Sequence, residues 1–385
     1  MFPAMNPMKP ALLILALLAS AAPALNGQSP STTNQGAAPI EATTYTIKER
    51  GANHRVWERV EYQNTPSGEV VTNVHRYTEL ATGLHYWNTN ANAWVESSEQ
   101  ILPDLSGASA VQGQHKLHFP YDIYQGVIEM ITPEDTLLKS RPLCLSYFDG
   151  TKSVVIATLK ASVGQLVGSN QVIYTDAFTN VQTGQILKAD LVYTYKKGSF
   201  EQDIILRQQP PTPESYGLSS SSARLQVMTE FFDTPQPEVT SGAVAAEFGQ
   251  LQDDQLSFGV MRMGQGKAFM LGTNTPSATV NKQWLQLDGR QILIEEVPVP
   301  AIKEGLSQLP PTQASSGRSS KFDNLASTGR VLPVQRPATI PDQRPVLVAK
   351  AAPSGPGLVL DYQTLTGAWV PTRFRGILLT ISAGP

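Results

Sequence analysis

Leu191-Val192-Tyr193-Thr194-Tyr195, a turn through Lys197-Gly198, and Phe200-Glu201-Gln202-Asp203-Ile204-Ile205-Leu206 form the stretch from which the fold can be read. Two runs rich in β-branched and aromatic residues flank a glycine, which is expected to supply the positive φ of a tight hairpin turn. A two-residue loop then sets Tyr195 opposite Phe200, Tyr193 opposite Gln202 and Leu191 opposite Ile204. Side chains alternate across a strand, so these residues make one largely apolar face, while Thr194, Glu201 and Asp203 lie on the other. A sheet with one dry face needs a second layer to bury it.

The same pattern extends outward from this hairpin. From Tyr45 to about Pro300, runs of Val, Ile, Thr, Tyr and Phe recur between clusters of Gly, Pro, Asn and Asp, and helical periodicity is nearly absent. Strands are predicted over Val56 to Tyr62, Val70 to Leu80, His115 to Phe119, Gly126 to Thr132, Leu143 to Phe148, Ser153 to Lys160, Gln171 to Thr175, Leu225 to Phe232, Leu256 to Met263 and Ala268 to Leu271. Asp288-Gly289 predicts a second hairpin and Gly264-Gln265-Gly266 a third. The fold class is therefore all-β, a large antiparallel β-sandwich of one or two β units with a disordered leader and a Pro-rich C-terminal linker. Pro210 to Ser222 reads as an exposed Pro/Ser crossover, and Ile302 to Leu309 as two helical turns.

The ends differ from the middle. Lys9, the apolar run Ala11 to Leu18 and the triplet Ala22-Pro23-Ala24 form the three-part pattern of a secretory signal peptide over 1–24. That run is too short to span a bilayer, and no cysteine follows it to carry a lipid. Residues 25–43 are a polar leader with little to bury. Then follow a small β unit over 44–105, separate from the sandwich or part of it, and the sandwich domain over 106–309, the two meeting near the loop Pro103 to Gly107. Residues 310–356 are a linker with six basic residues against two acidic ones, and 357–385 read as the start of a further, incomplete β element beginning with Leu358-Val359-Leu360-Asp361-Tyr362.

Composition narrows the function. The net charge of -3, from 29 basic and 32 acidic residues mixed along the chain, provides no field to recruit nucleic acid or an anionic membrane. Cys144 is the only cysteine, so no intrachain disulfide can form, and its leucine neighbours predict burial. No cofactor motif is present, and no Gly-x-Ser-x-Gly elbow; Gly264-Gln265-Gly266-Lys267 lacks the following helix of a phosphate loop. The five histidines, His54, His75, His85, His115 and His118, all fall in the first third and read as surface and edge-strand residues. His115 and His118 are three apart on a predicted strand and point to opposite faces, so no metal site is expected.

Two constellations remain as candidate sites. Tyr86, Trp87 and Trp94 flank Asn88-Thr89-Asn90-Ala91-Asn92, and aromatic rings beside amides are how many modules grip sugars; the bland alternative is a hairpin whose rings pack across the strands. Glu201 and Asp203 share one face of a strand about 7 Å apart, a spacing that serves glycoside hydrolysis, although paired carboxylates also occur on any wet sheet face.

Four stretches carry a resemblance: Tyr77-Thr78-Glu79-Leu80-Ala81-Thr82-Gly83-Leu84-His85-Tyr86-Trp87, Gly113-Gln114-His115-Lys116, Leu145-Ser146-Tyr147-Phe148-Asp149, and Ala189 to Tyr195 with Phe200 to Asp203. Over about Tyr45 to Val299 the chain resembles the amino-terminal β-rich region of large exported bacterial proteins associated with Rhs/YD repeats or parallel β-helices. The resemblance implies a secreted, periplasmic or cell-surface location and no catalytic residue. The expected function is a non-enzymatic surface or scaffold module with glycans or other cell-surface components as partners; the alternatives are a carbohydrate-binding module and a glycan-processing enzyme.

Overall fold

A computed structural model describes residues 44–246, 249–273, 275–311, 349–350, 358–367 and 379–381, with side chains described outside 243–252 and the last three segments. The signal pattern of 1–24, the leader of 25–43 and nearly all of the linker of 310–356 lie outside the described residues.

In chain order the strands are β1 (Thr46–Gly51), β2 (His54–Asn64), β3 (Val70–Leu80), β4 (His85–Asn88), β5 (Ala93–Glu96), β6 (Leu102–Pro103), β7 (Gly107–Ala110), β8 (Lys116–Pro120) and β9 (Ile128–Ile131). They continue with β10 (Leu137–Phe148), β11 (Ser153–Leu159), β12 (Gly164–Val167), β13 (Gln171–Tyr174), β14 (Phe178–Asn180), β15 (Ile186–Leu187), β16 (Ala189–Lys196), β17 (Ser199–Leu206) and β18 (Arg224–Phe232). The last are β19 (Glu238–Ala246), β20 (Gly249–Phe258), β21 (Met261–Met263), β22 (Gly266–Met270), β23 (Ala278–Leu287), β24 (Arg290–Pro298), β25 (Ala349–Lys350), β26 (Leu358–Gly367) and β27 (Leu379–Ile381). Helix α1 (Val299–Ser307) follows β24.

Two sheets make the sandwich. In the first, β10 pairs with β18, β18 with β24 and β24 with β23, while the other edge of β10 takes β9 along its first part and β11 along its last. The second runs β25-β12-β13-β16-β17-β26, and the far edge of β26 takes both β21 and β22. Strand β23 joins the two, since Ala278–Val280 pair with β22 and Asn281–Leu287 with β24. Long β10 accommodates Pro142 in a central position because the register slips between Pro142 and Cys144, where a bulge spares the missing N–H.

The opening hairpin has the expected register, Tyr195 opposite Phe200 and Tyr193 opposite Gln202. Its dry face meets the first sheet: the Tyr193 and Phe200 rings stack at 5.6 Å, and Phe119 of β8 packs against both. Leu145, Leu225, Val227 and Leu293 from one sheet and Leu191, Ile204, Leu256 and Met261 from the other belong to the same buried cluster. Each such side chain contributes about 1.5–3 kcal/mol on burial, which is what fixes the pairing of the layers.

Several expectations need correction. Gly198 does not take a positive φ; a Cβ there would lie in tight contact, 3.1 Å, with the side chain of Thr82. Leu256 to Met263 is not one strand, because Gly259 at φ 63° turns β20 back into β21. Gly264-Gln265 is not a hairpin turn either: β21 and β22 follow one another along the same edge of β26. Asp288-Gly289 is a two-residue hairpin as expected, with φ 49° and 78°. Pro210 to Ser222 is not a wholly exposed crossover, since a 3-10 turn over Pro213–Tyr216 puts Tyr216 and Leu218 into the core. The loop after Pro103 is a turn that pairs β6 with β7 within the first sheet. The outer face of the second sheet is not uniformly wet, because Val167, Ile173, Val192 and Ile205 form a second buried cluster there.

Outside the sandwich, β1, β2, β3 and β27 make an arm sheet, and β4 with β5 a separate hairpin. The arm is rooted at its base: Gln114 Nε2 donates to the carbonyls of Ala52 and His85, and His85 N donates to Ala52 O.

Candidate functional site

The β4–β5 hairpin emerges at the root of the arm. Its register sets Trp87 directly opposite Trp94 and Tyr86 opposite Val95. The tryptophan rings meet edge to face, 5.4 Å between centroids at 77°, and Trp87 is 47% exposed. The loop is shaped by its own amides: Asn88 Oδ1 accepts from Ala91 N, and Asn92 takes φ 45°. On the same strand His85 is buried, with its Nδ1 2.9 Å from Gly51 O, so the inner end of the hairpin is fixed and its outer end is free. The structure thus brings Trp87 and Trp94 together. It places Tyr86 on the opposite face, where its hydroxyl accepts from Asn88 Nδ2 at 3.3 Å. An edge-to-face pair holds one indole steady and leaves one of its faces available for stacking.

Glu201 and Asp203 lie on the outer face of β17 with Val192 and Ile205 nearby. Glu201 Oε1 is 2.6 Å from Lys196 Nζ, and both carboxylates are partly buried in a continuous sheet beside β26. Glu201 is thus engaged in an ion pair within the sheet.

The histidines are not all at the surface: His85 and His115 are buried. Burial pushes the His115 imidazole down to about 4, opposed by a hydrogen bond with the Ser199 backbone. Among the described residues no group of three His, Cys, Asp or Glu is placed to hold a metal ion. Cys144 is buried as expected, and burial pushes its thiol up to about 11, away from nucleophilic use.

A site that the sequence did not single out lies at the end of β7–β9, in a cleft of about 400 Å³ lined by Ser106, His118, Tyr121, Asp122, Gln125 and Glu129. Ser106 Oγ is 2.8 Å from His118 Nε2 and 3.1 Å from Asp104 Oδ1. Burial raises the Asp104 carboxyl, but hydrogen bonds from Ser109 and Ser106 outweigh it and hold the group below the usual carboxylate range. Asp104 approaches His118 through the same Nε2, at 3.8 Å, so carboxylate and hydroxyl compete for one nitrogen instead of taking opposite ends of the ring. A base-activated nucleophile needs the second arrangement. The sequence cue was the Asp104-Leu105-Ser106 turn, whose nearness to His118 depends on the pairing of β7 with β8.

No family model, curated protein or solved structure shows a significant match to the chain. Among the described residues no helix is long and apolar enough to cross a membrane.

Proposed function

We propose that the chain is a non-enzymatic exported β-sandwich module that scaffolds a larger cell-surface assembly. The observation that carries this reading is the arm: of the 22 residues in β2 and β3 only Glu58 is buried. Sheets of such long strands ordinarily gain their stability from a layer packed on one face. Here Tyr62, Val70 and Val74 stand exposed on one face toward the hairpin tip, an apolar surface suited to a partner. The signal pattern at Lys9 to Ala24 and the resemblance to amino-terminal regions of large exported proteins support the same setting.

The test is sedimentation of native cell extracts containing the wild-type chain or the triple variant Tyr62→Ser, Val70→Thr, Val74→Thr. The wild-type chain is expected in particles several times heavier than itself, and the variant at its own mass with an unchanged thermal midpoint. A wild-type chain that sediments alone would reject the proposal.

A second reading, a carbohydrate-binding module, is favoured by the half-exposed Trp87 braced on Trp94. Its test is a sugar-dependent shift of tryptophan fluorescence that the Trp87→Ala variant loses.

A further inference from the structure

Strand β26 occupies an interior place in the second sheet although it comes from a remote part of the chain. It pairs with β17 from Ser199 to Leu206 on one side and with β21 and β22 on the other. Without it, the edge of β17 and the edges of β21 and β22 would all present unpaired N–H and C=O groups, a slot open on both sides to any matching strand. The preceding pieces of the sandwich end with α1 and Pro311, and the next paired residues are those of β25. The intervening 37 residues, 312–348, can reach up to about 120 Å when extended.

The slot also reads register. Gln202 is 0% exposed in the sandwich core, and neither its amide oxygen nor its nitrogen has a hydrogen-bond partner. The residue directly opposite it on β26 is Gln363. One residue further, a bulge restores the alternation so that Asp203, Asp361 and Lys267 fall in one row across β17, β26 and β22. A one-residue slip would move the whole alternation of the segment to the opposite face of the sheet, so the slot accepts a single register.

We propose that Leu358–Gly367 is an exchangeable strand, and that the slot between β17 and β21–β22 accepts this segment from a second copy of the chain as well as from its own. Copy and self present identical side chains to the slot, so the ladder formed is the same in both cases. What differs is concentration. A tether of this kind gives the chain's own segment an effective concentration on the order of 1 mM. The segment of a second copy therefore takes roughly a tenth of the slots at about 100 µM, and a majority where copies are crowded side by side.

The experiment uses full-length chains and the opposed pair Ser199 and Thr366. A chain carrying both Ser199→Cys and Thr366→Cys is expected to close a disulfide within itself when folded dilute. Chains carrying Ser199→Cys or Thr366→Cys alone, differently mass-tagged, are unfolded, mixed and refolded together before mild oxidation. The expected product is a disulfide-linked heterodimer whose yield rises about tenfold from 10 to 100 µM; the buried Cys144 takes no part, as the wild-type chain checks. A double variant that cross-links within itself while mixed single variants give no heterodimer at any concentration would overturn exchange. A double variant that fails to cross-link would overturn the placement of the strand on which exchange rests.

Discussion

Arg207 grips Asp190 with both arms of its guanidinium, Nε to Oδ2 at 2.7 Å and Nη2 to Oδ1 at 2.8 Å, and Asp190 is almost wholly buried. The same carboxylate accepts the backbone N–H of Asp176, and Arg207 Nη2 also donates to Asp176 Oδ1, so this guanidinium and its two carboxylates tie the loop after β13 to the ends of β16 and β17. Arg207→Ala strands a buried charge and is expected to cost about 2–4 kcal/mol, somewhat less than the roughly 3–5 kcal/mol of a fully buried pair because Arg207 is partly exposed. The double variant Arg207→Met, Asp190→Asn keeps the acceptor for Asp176 N–H, removes the buried charge and leaves the Asp176 carboxylate paired with Lys188, and most of the lost stability should return. Urea unfolding of the three variants checks this; a double variant as weak as Arg207→Ala would show that the pair contributes through packing alone.

His115 makes the fold sensitive to mild acid. Its imidazole lies 5.0 Å from the ring of Tyr195, its Nε2 has no partner, and its folded pKa of about 4 lies below the ordinary 6.5. Between those values the unfolded chain binds a proton that the folded chain refuses. Stability is thus fully present above about pH 6.5 and falls as pH drops toward 4. The expected loss from pH 7 to pH 5 is about 2 kcal/mol. Denaturant midpoints at the two pH values measure it, and His115→Phe should flatten the dependence over this window.

Gly83 seats the arm on the sandwich. It takes φ 74°, and a Cβ there would lie 1.9 Å from the carbonyl oxygen of Lys197 in the β16–β17 turn. Backbone cannot swing aside as a side chain does, so Gly83→Ala should cost at least about 2 kcal/mol. Limited proteolysis adds a second readout, because cleavage within 44–100 should accelerate more than cleavage of the sandwich. Equal acceleration in both parts would mean that the contact supports the whole molecule and not the joint.

Those contacts mark the limit of what the chain's local patterns disclose. Alternation of apolar residues located the Leu191–Leu206 hairpin with its register, and Asp288-Gly289 announced its turn through dihedrals that only a few residue types adopt. Gly83 is a glycine for a different reason, a close approach between segments far apart in sequence. The sheet change within β23 was equally hidden, since nothing in Val280-Asn281 distinguishes pairing with β22 from pairing with β24. Trp87 and Trp94 were legible as a pair across a short loop, whereas the side taken by Tyr86 follows from the alternation in β4 once His85 is known to point inward. Ser106 and His118 were not legible, because only the β7–β8 ladder brings them together.

The hairpin geometry makes the carbohydrate reading directional. Trp87 offers the exposed ring face, Trp94 braces it edge-on, and Tyr86 lies on the other side of the hairpin. If a glycan stacks here, Trp87→Ala removes the platform and should weaken binding at least about tenfold, the equivalent of ~1.4 kcal/mol. Trp94→Ala keeps the platform but frees its orientation and should weaken binding less. Tyr86→Ala should leave affinity unchanged, which separates stacking on one face from a general disturbance of the hairpin. Fluorescence titration against a polysaccharide panel reads all three. Equal losses for Tyr86→Ala and Trp87→Ala, or a wild-type chain with no sugar-dependent shift, would remove the carbohydrate reading and leave the apolar tip of the arm as the surface to pursue.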